Sequence, residues 1–400
     1  MEWIKEDKTY RVAIKSWCRD LEKNALSQAE DLAMHPEINR HVALMPDCHP
    51  GFGMPIGGVI ACEKAIIPNA VGVDIGCGMG AVKTNIRLAE TNRAILRQLT
   101  TTIKEQIPCG EGRSHKGKQS WDNLTPLAHF EERPWYSSHV RDLAEKKLGT
   151  LGGGNHFIEV QADTEGNIWL MIHSGSRHLG NVIAKHHHNE ALKECAKKKV
   201  QLPAKDLAHL AINGKAGQLY IADMNFALAY ARENRRHIMA RFMETFAALF
   251  PKAEFETPIN IHHNYAALET HFGRNYWIHR KGATSAKPGE IGIIPGSMGA
   301  PSFIVIGLGN PDAFMSCSHG AGRVMGRMQA SRTLTPAECD AAMGDVVYDR
   351  WHKMRRGKSK GLLDLGEAPQ AYKNIHEVIE AQKDLIEPLV ELKPLAVVKG

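Results

Sequence analysis

Reactive side chains in this sequence concentrate in glycine-rich turns, where backbone can approach a ligand closely. Asp74-Ile-Gly-Cys77-Gly-Met-Gly80 follows an apolar stretch, and a carboxylate and a thiol three residues apart on a tight turn can face one point, as a metal pair would. A turn aspartate beside a buried cysteine is the competing reading. In Leu151-Gly-Gly-Gly-Asn155-His156-Phe157-Ile158-Glu159, three glycines offer bare N–H groups as an anion nest, and polar side chains follow directly. Strand alternation predicts Phe157 and Glu159 on one face and His156 on the other. In Ile172-His173-Ser-Gly-Ser-Arg177, a strand-end histidine precedes small residues and an arginine, which suits a phosphate. Ile261-His262-His263-Asn264 closes another apolar run. Taken singly, each histidine is more often structural than a ligand. Taken with Asp74 and Cys77, all at strand-to-turn junctions, they offer a two-metal site.

A further cluster, Cys317-Ser-His319-Gly320-Ala321-Gly322-Arg323, leaves one side of a histidine unhindered, with Arg327 one helical turn beyond Arg323. A nucleophilic or acid–base histidine beside phosphates needs such surroundings, and a structural histidine in a glycine-rich turn would share them. Pro295-Gly296-Ser297-Met298-Gly-Ala-Pro-Ser302 adds backbone donors and two hydroxyls. Common nucleotide signatures are missing. Gly357-Lys358-Ser359 resembles the end of a Walker A loop, but His352 stands where the first glycine is required. Gly76, Gly78 and Gly80 lack the dinucleotide-binding spacing, and the sequence has no Cys-x-x-Cys and no Lys-x-Asp-Gly. His186-His187-His188 reads as the solvated face of a polar helix. Arg232, Arg235, Arg236 and Arg241 would either meet RNA phosphates or be solvated.

The elements that must position these groups alternate in type. Short buried strands are expected at His41–Pro46, Gly57–Cys62 and Ala70–Ile75, then a helix over about 88–107 closed by Pro108, and an exposed loop over 109–121. Strands follow at Phe157–Val160 and Ile168–Ile172, and helices over about 182–198 and 219–250. Residues 260–309 again read as strand and turn. Thr335-Pro336-Ala-Glu338 is a capping box that starts a helix running to about Lys353. A helix over 374–385 and a terminal strand Leu395–Val398 complete the chain. With no repeat and no break in composition, the expectation is one α/β (mixed α+β) domain over residues 1–400, central β-sheets flanked by helices.

At 43% apolar, 400 residues can fill a large core, and the formal charge of +6 admits a polyanionic partner without requiring one. No apolar run approaches the ~20 residues that span a bilayer, so no membrane partner is expected. The first residues carry no basic-then-apolar signal, which predicts the cytoplasm and eight reduced cysteines. The 21 histidines are an unusual share.

In order along the chain, these clusters resemble the RtcB-type RNA ligases: Met45-Pro-Asp47-Cys-His49, Gly72-Val-Asp74-Ile-Gly-Cys77-Gly-Met79, Leu148 to Glu159, His173 to Arg177, His263-Asn264, Pro295 to Ala300, Ser316 to Arg323 and Lys399-Gly400. The resemblance implies a single RtcB-type domain that uses GTP and two Mn2+ ions. It would join RNA 2′,3′-cyclic phosphate or 3′-phosphate ends to 5′-hydroxyl ends, in tRNA splicing or RNA repair. It also implies roles. Cys77 would bridge the two metals, with Asp74 and His156 on one and His173 and His263 on the other. His319 would carry GMP, Asp47 would orient it, and Arg177 would meet the RNA end. Asn155, His156, Phe157, Ile158, Glu159, His263, Asn264, Pro295 to Met298, Ser302, His319 to Gly322, Tyr372 and Lys399 would surround the guanine nucleotide. A helper protein for turnover is compatible with this reading. A thiolate with three histidines suggests zinc or iron by ligand softness, so manganese comes from the family alone. Pro50, Phe52 and His178 depart from the family pattern. A dinuclear metallo-phosphoesterase that opens cyclic phosphates without ligation is the alternative; it would need the metal ligands but not His319 or Lys399.

Overall fold

The computed structural model describes residues 1–121, 130–349, 351–354 and 361–400; the Gly357-Lys358-Ser359 tripeptide lies outside them. Period-two patterning produces a seven-stranded antiparallel sheet. Its spatial order is Ile259–His262, Gly78–Arg87, Asn167–Ser174, Phe157–Asp163, Ile386–Lys399, Ser302–Gly307, Ile291–Ile294. Ile158, Val160, Ile168, Leu170 and Ile172 point to one face. There they pack against Leu99 and Ile103 of helix Arg93–Gln106 and Ile238 and Phe242 of helix Lys215–Leu249. Burial on this scale is worth ~1.5–3 kcal/mol for each large aliphatic side chain. The alternate residues Phe157, Trp169 and Met171 face the other way, beside Met298 and Ile304. Because helices cover the first face, the second is left to build a cavity.

A six-stranded sheet runs Trp3–Lys5, Ala13–Ser16, Ile38–His49, Ile56–Cys62, Arg274–Lys281, Asn264–His271. Its one parallel pair, Ala13–Ser16 with Ile38–His49, is connected through helix Lys23–Met34, whose Ala29, Leu32 and Ala33 pack on Ile14, Val42 and Leu44. A single residue, His263, separates the edge strand of the first sheet from Asn264–His271 of the second. The sheets therefore meet at a metal-ligand candidate. The fold is mixed α/β, as expected.

Several local expectations are corrected. Ala70–Ile75 is not a strand: Pro68 starts a short helix, Pro68–Val71, which Gly72 ends at φ 98°. The next helix with histidines begins at Arg177, before Val182, and spans Arg177–Lys197. Thr335 forms the capping box with Glu338, but the helix stops at Met343, because Gly344 has φ 53°. The following helix is only Ile375–Glu380, and the terminal strand is far longer, Ile386–Lys399, since its Pro388 and Pro394 break the sequence pattern without ending the strand. His187 is not solvated; it is buried, with Nε2 2.7 Å from Asp223 Oδ2. Arg235 matches neither reading of its cluster, being fully buried and committed to backbone carbonyls.

Candidate active site

The metal-ligand candidates converge from four chain segments. Cys77, on the turn entering Gly78–Arg87, has Sγ 3.4 Å from His156 Nε2 and 3.2 Å from His173 Nε2. His173 Nε2 is 3.3 Å from His263 Nε2, and His156 Nε2 is 3.3 Å from Asp74 Oδ2. The five donors thus form a continuous chain, at separations expected of ligands bound at ~2.0–2.3 Å to shared ions. Its centre, Cys77, His156 and His173, is buried. His156 was expected to face away from Phe157; it precedes the strand, so alternation does not apply, and its ring meets His173 edge-on.

The surroundings orient these donors. His173 Nδ1 donates to Asn155 O (3.2 Å), which leaves Nε2 unprotonated toward Cys77. Arg235 donates to Gly76 O (2.7 Å) and Ser174 O (3.0 Å), tying the Asp74–Cys77 turn to the strand that carries His173. A side chain at Gly175 would meet Asp74 Oδ1 at 2.4 Å, so glycine is required there. Burial pushes the Cys77 thiol well up and the His173 and His263 imidazoles well down. Burial alone would raise Asp74, but His156 and Arg177 outweigh it and hold the carboxyl at about 2. Neutral imidazoles, a carboxylate and a thiol whose lone pairs converge on one point fit a dication, which would also make the thiol a thiolate.

His319 follows the short strand Ser316–Ser318, which pairs with Ala283–Ser285. Its Nδ1 donates to Asp47 Oδ2 at 2.6 Å and its backbone N–H to the same oxygen at 3.1 Å. That tautomer leaves the Nε2 lone pair free. A Cβ at Gly322 would lie 2.3 Å from Asp47 O, so this glycine serves the close approach of the His319 loop to the Asp47 strand. The strand ladder around Asp47 breaks between Leu44 and His49. The carbonyls of Pro46 and Cys48 instead accept from Lys373 Nζ at 2.9 and 3.1 Å, while Lys373 N–H donates to Gly322 O. Lys373 therefore clamps the Asp47 strand to the His319 loop.

At the other end, Lys399 Nζ lies 3.1 Å from Glu367 Oε2, Arg327 Nε 2.7 Å and Arg323 Nη1 3.2 Å from Oε1, and Tyr372 OH donates to the same carboxylate. Burial would raise Glu367, yet these three cations hold it at about 2. Arg323 precedes helix Arg327–Thr333, so the two arginines do not share a helix turn as expected; Glu367 brings them together. Burial pushes Glu159 up to about 8, with Gln161 and Lys399 opposing in part. Ser302 Oγ accepts from Gln161 and from Gly296 N–H, and the buried Ser297 hydroxyl has no partner.

Metal end, His319 and cationic end line one cavity of about 340 Å³. Its walls include Asp74, Cys77, Asn155, Phe157, Glu159, His173, His263, Asn264, Pro295 to Met298, Ser302, His319 to Gly322, Tyr372 and Lys399. Asp47 stands behind His319 and His156 behind Cys77. The Ile158 side chain instead points into the helix-side core. Both amide groups of Asn264 are already used, by Gly282 N–H and Asp74 O. Arg177 is not a lining residue; its Nη1 is 3.2 Å from His156 Nδ1, and it begins its helix at φ 57°. Sequence reasoning missed Glu367, Lys373 and Lys281. Glu367 stands in no motif, and only the lysine's place directly after Tyr372 could have drawn attention to Lys373.

A carboxylate-backed histidine between a cluster of potential metal donors and a cationic recess is an arrangement that fits a metal-dependent enzyme. Over residues 28–400 the chain matches the family described as tRNA-splicing ligase RtcB. It is 38% identical to the RNA-splicing ligase RtcB of Escherichia coli K12, over 98% of each chain. It is 33% identical to the tRNA-splicing ligase RtcB of Archaeoglobus fulgidus, over 95% of this chain and 92% of that one. The chain belongs to the RtcB family.

Proposed function

We propose that this protein is a GTP- and manganese-dependent RNA ligase that joins 2′,3′-cyclic phosphate or 3′-phosphate ends to 5′-hydroxyl ends. The observation that carries the reading is His319, held through Nδ1 by Asp47 in the same cavity as the metal donors and the Lys399 recess. His319 Nε2 attacks the α-phosphorus of GTP and pyrophosphate leaves, forming a phosphorus–nitrogen bond. Asp47 stabilises the positive charge that the ring acquires. GMP then passes to an RNA 3′-phosphate and restores the imidazole. The 5′-hydroxyl attacks that activated phosphate and expels GMP; a cyclic end must first be opened by hydrolysis.

Asp74, Cys77 and His156 would hold one dication and Cys77, His173 and His263 the other, supplying charge neutralisation at the reacting phosphates. Manganese is taken from the family, not from the softness of these ligands. Lys399, Arg323 and Arg327 would bind nucleotide phosphates or ribose, with Glu159 and Phe157 on the base. With Nε2 given to a dication, a neutral His156 would carry its proton on Nδ1, where Arg177 now donates, and that guanidinium would be released toward the RNA end. Both sheets contribute to the one cavity, which supports reading residues 1–400 as a single domain. Among the described residues no helix is long and apolar enough to cross a membrane; we assign the activity to the cytoplasm, on tRNA halves or damaged RNA, with or without a helper protein. A phosphoesterase that never ligates would leave the His319–Asp47 pair and the Lys399 recess without a task.

The test is incubation with α-labelled GTP and manganese. Label should attach to the protein, survive alkali and be released by acid. His319→Ala should abolish it, a loss on the order of 10³-fold or more. Label that persists in the variant, or never appears in the wild type, refutes the reading.

A further inference from the structure

The cavity has two unlike ends. The recess beyond His319 toward Lys399 and Glu159 is polar and largely buried. The opposite end is rimmed by Phe52, 56% exposed, and Val73, 42% exposed, although both line the same cavity as His319. Large apolar groups left in water at the mouth of a polar site call for an occupant.

Phe52 is not on a loose loop. Gln28 bonds both the N–H and the C=O of Gly51, at 3.0 and 2.8 Å. Lys281 Nζ donates to Phe52 O and, at 3.1 Å, to Asn69 O. The lysine stem then passes Gly72, where an added Cβ would lie 3.5 Å from Lys281 Cε. Lys281 thus ties the Phe52 turn to the segment that presents Val73, and the backbone from which the ring projects is fixed before any ligand arrives. An exposed aromatic ring on an anchored turn is the feature by which single-stranded nucleic acids are held, since every base has a face to stack.

We propose that Phe52, with Val73 across the mouth, is a stacking platform for the terminal nucleobase of the RNA end entering the site. The proposal rests on the ligase reading for its ligand. With guanine nucleotide in the Lys399 recess, RNA must enter through the open end, and its last base passes the Phe52 ring. Stacking selects single-stranded, base-bearing ends without reading their sequence.

The test uses full-length protein, Phe52→Ala and Phe52→Trp, with fluorescent single-stranded RNA oligonucleotides ending in a 3′-phosphate or a 5′-hydroxyl, each with a normal or an abasic terminal nucleotide. Binding is read by anisotropy, joining by KM and kcat, and GMP attachment to the protein separately. Phe52→Ala should weaken binding of at least one normal end, and raise its KM, by about tenfold or more, with GMP attachment unchanged and Phe52→Trp close to wild type. The abasic end should cost the wild type the same factor and Phe52→Ala nothing further. Which oligonucleotide responds identifies the strand that stacks. Equal binding by wild type and Phe52→Ala overturns the proposal, as does an abasic penalty equal in both; Phe52-dependent capture of a protein with RNA binding unchanged would also overturn it. Wild type that binds RNA through Phe52 yet never takes up GMP would remove the ligase reading and leave the platform standing.

Discussion

The metal end and the cationic end of the cavity are built on opposite principles. Around Cys77 the donors face one another with little to satisfy them; His263 Nδ1, for instance, is buried without a partner. Around Glu367 the carboxylate is fully answered, by Lys399, Arg323, Arg327 and Tyr372. The first arrangement is a set of lone pairs that a cation completes. The second sets three cations around one carboxylate and keeps an excess of positive charge, so an incoming phosphate shares those cations with Glu367. The proposed function, a cation at one end and a polyanion at the other, calls for this asymmetry: preformed charge of one sign at both ends would repel one ligand or trap the other.

The contrast breaks most sharply at Cys77, the residue common to both proposed metal sites. Cys77→Ala should abolish stoichiometric manganese binding and lower joining by on the order of 10³-fold. Manganese at about 100 times its Kd should add ~2.7 kcal/mol to wild-type stability and nothing to the variant, as measured by thermal unfolding. A variant with full metal content would remove Cys77 from the centre.

Glu367→Gln should act on the other end alone. Lys399 and the arginines lose their common anchor, and kcat/KM for GTP should fall about 10- to 100-fold with manganese content unchanged. Loss of metal in this variant would mean that the two ends are not separable. The same carboxylate marks a pH limit. Its folded pKa of about 2 lies below the unfolded value near 4.5, so between these values the unfolded chain holds more protons. Its contribution is present above about 4.5 and is lost as pH falls toward 2; Tm against pH should drop less steeply there in Glu367→Gln.

A smaller effect is expected at Lys373, which touches neither end. Lys373→Met should leave manganese content and KM for GTP near wild type while lowering kcat of GMP attachment by roughly 3- to 10-fold, because the Asp47 strand is no longer clamped to the His319 loop. Lys373→Arg should restore part of the rate. An equal fall in stability and metal content would make the lysine merely structural.

The clusters around Asp74, Asn155, His173, His263 and His319 were legible because close backbone approach demands glycine, and glycine-rich runs beside reactive side chains stand out in a sequence. Strand alternation correctly set Phe157 and Glu159 on one face, where both line the cavity, whereas Ile158, expected at the nucleotide, points into the core. The same rule failed at His156, one residue outside the strand. The His186–His188 run and Arg235 misled because a charged helix surface and a buried charged network have the same composition; only the partners Asp223, Gly76 and Ser174 distinguish them. Glu367 was invisible, since a carboxylate gains meaning only from the cations folded around it.

The sequence alone determined the mixed α/β class, the glycine turns, the donor types and the family pattern, because these depend on local sterics and on chemistry carried by single side chains. Tertiary structure alone decided that His263 sits where the two sheets join, that Asp47 backs His319 across 272 positions of chain, and that Lys399 and two arginines share one carboxylate. Such pairings are set by how the sheets and loops pack, and no spacing along the chain encodes them.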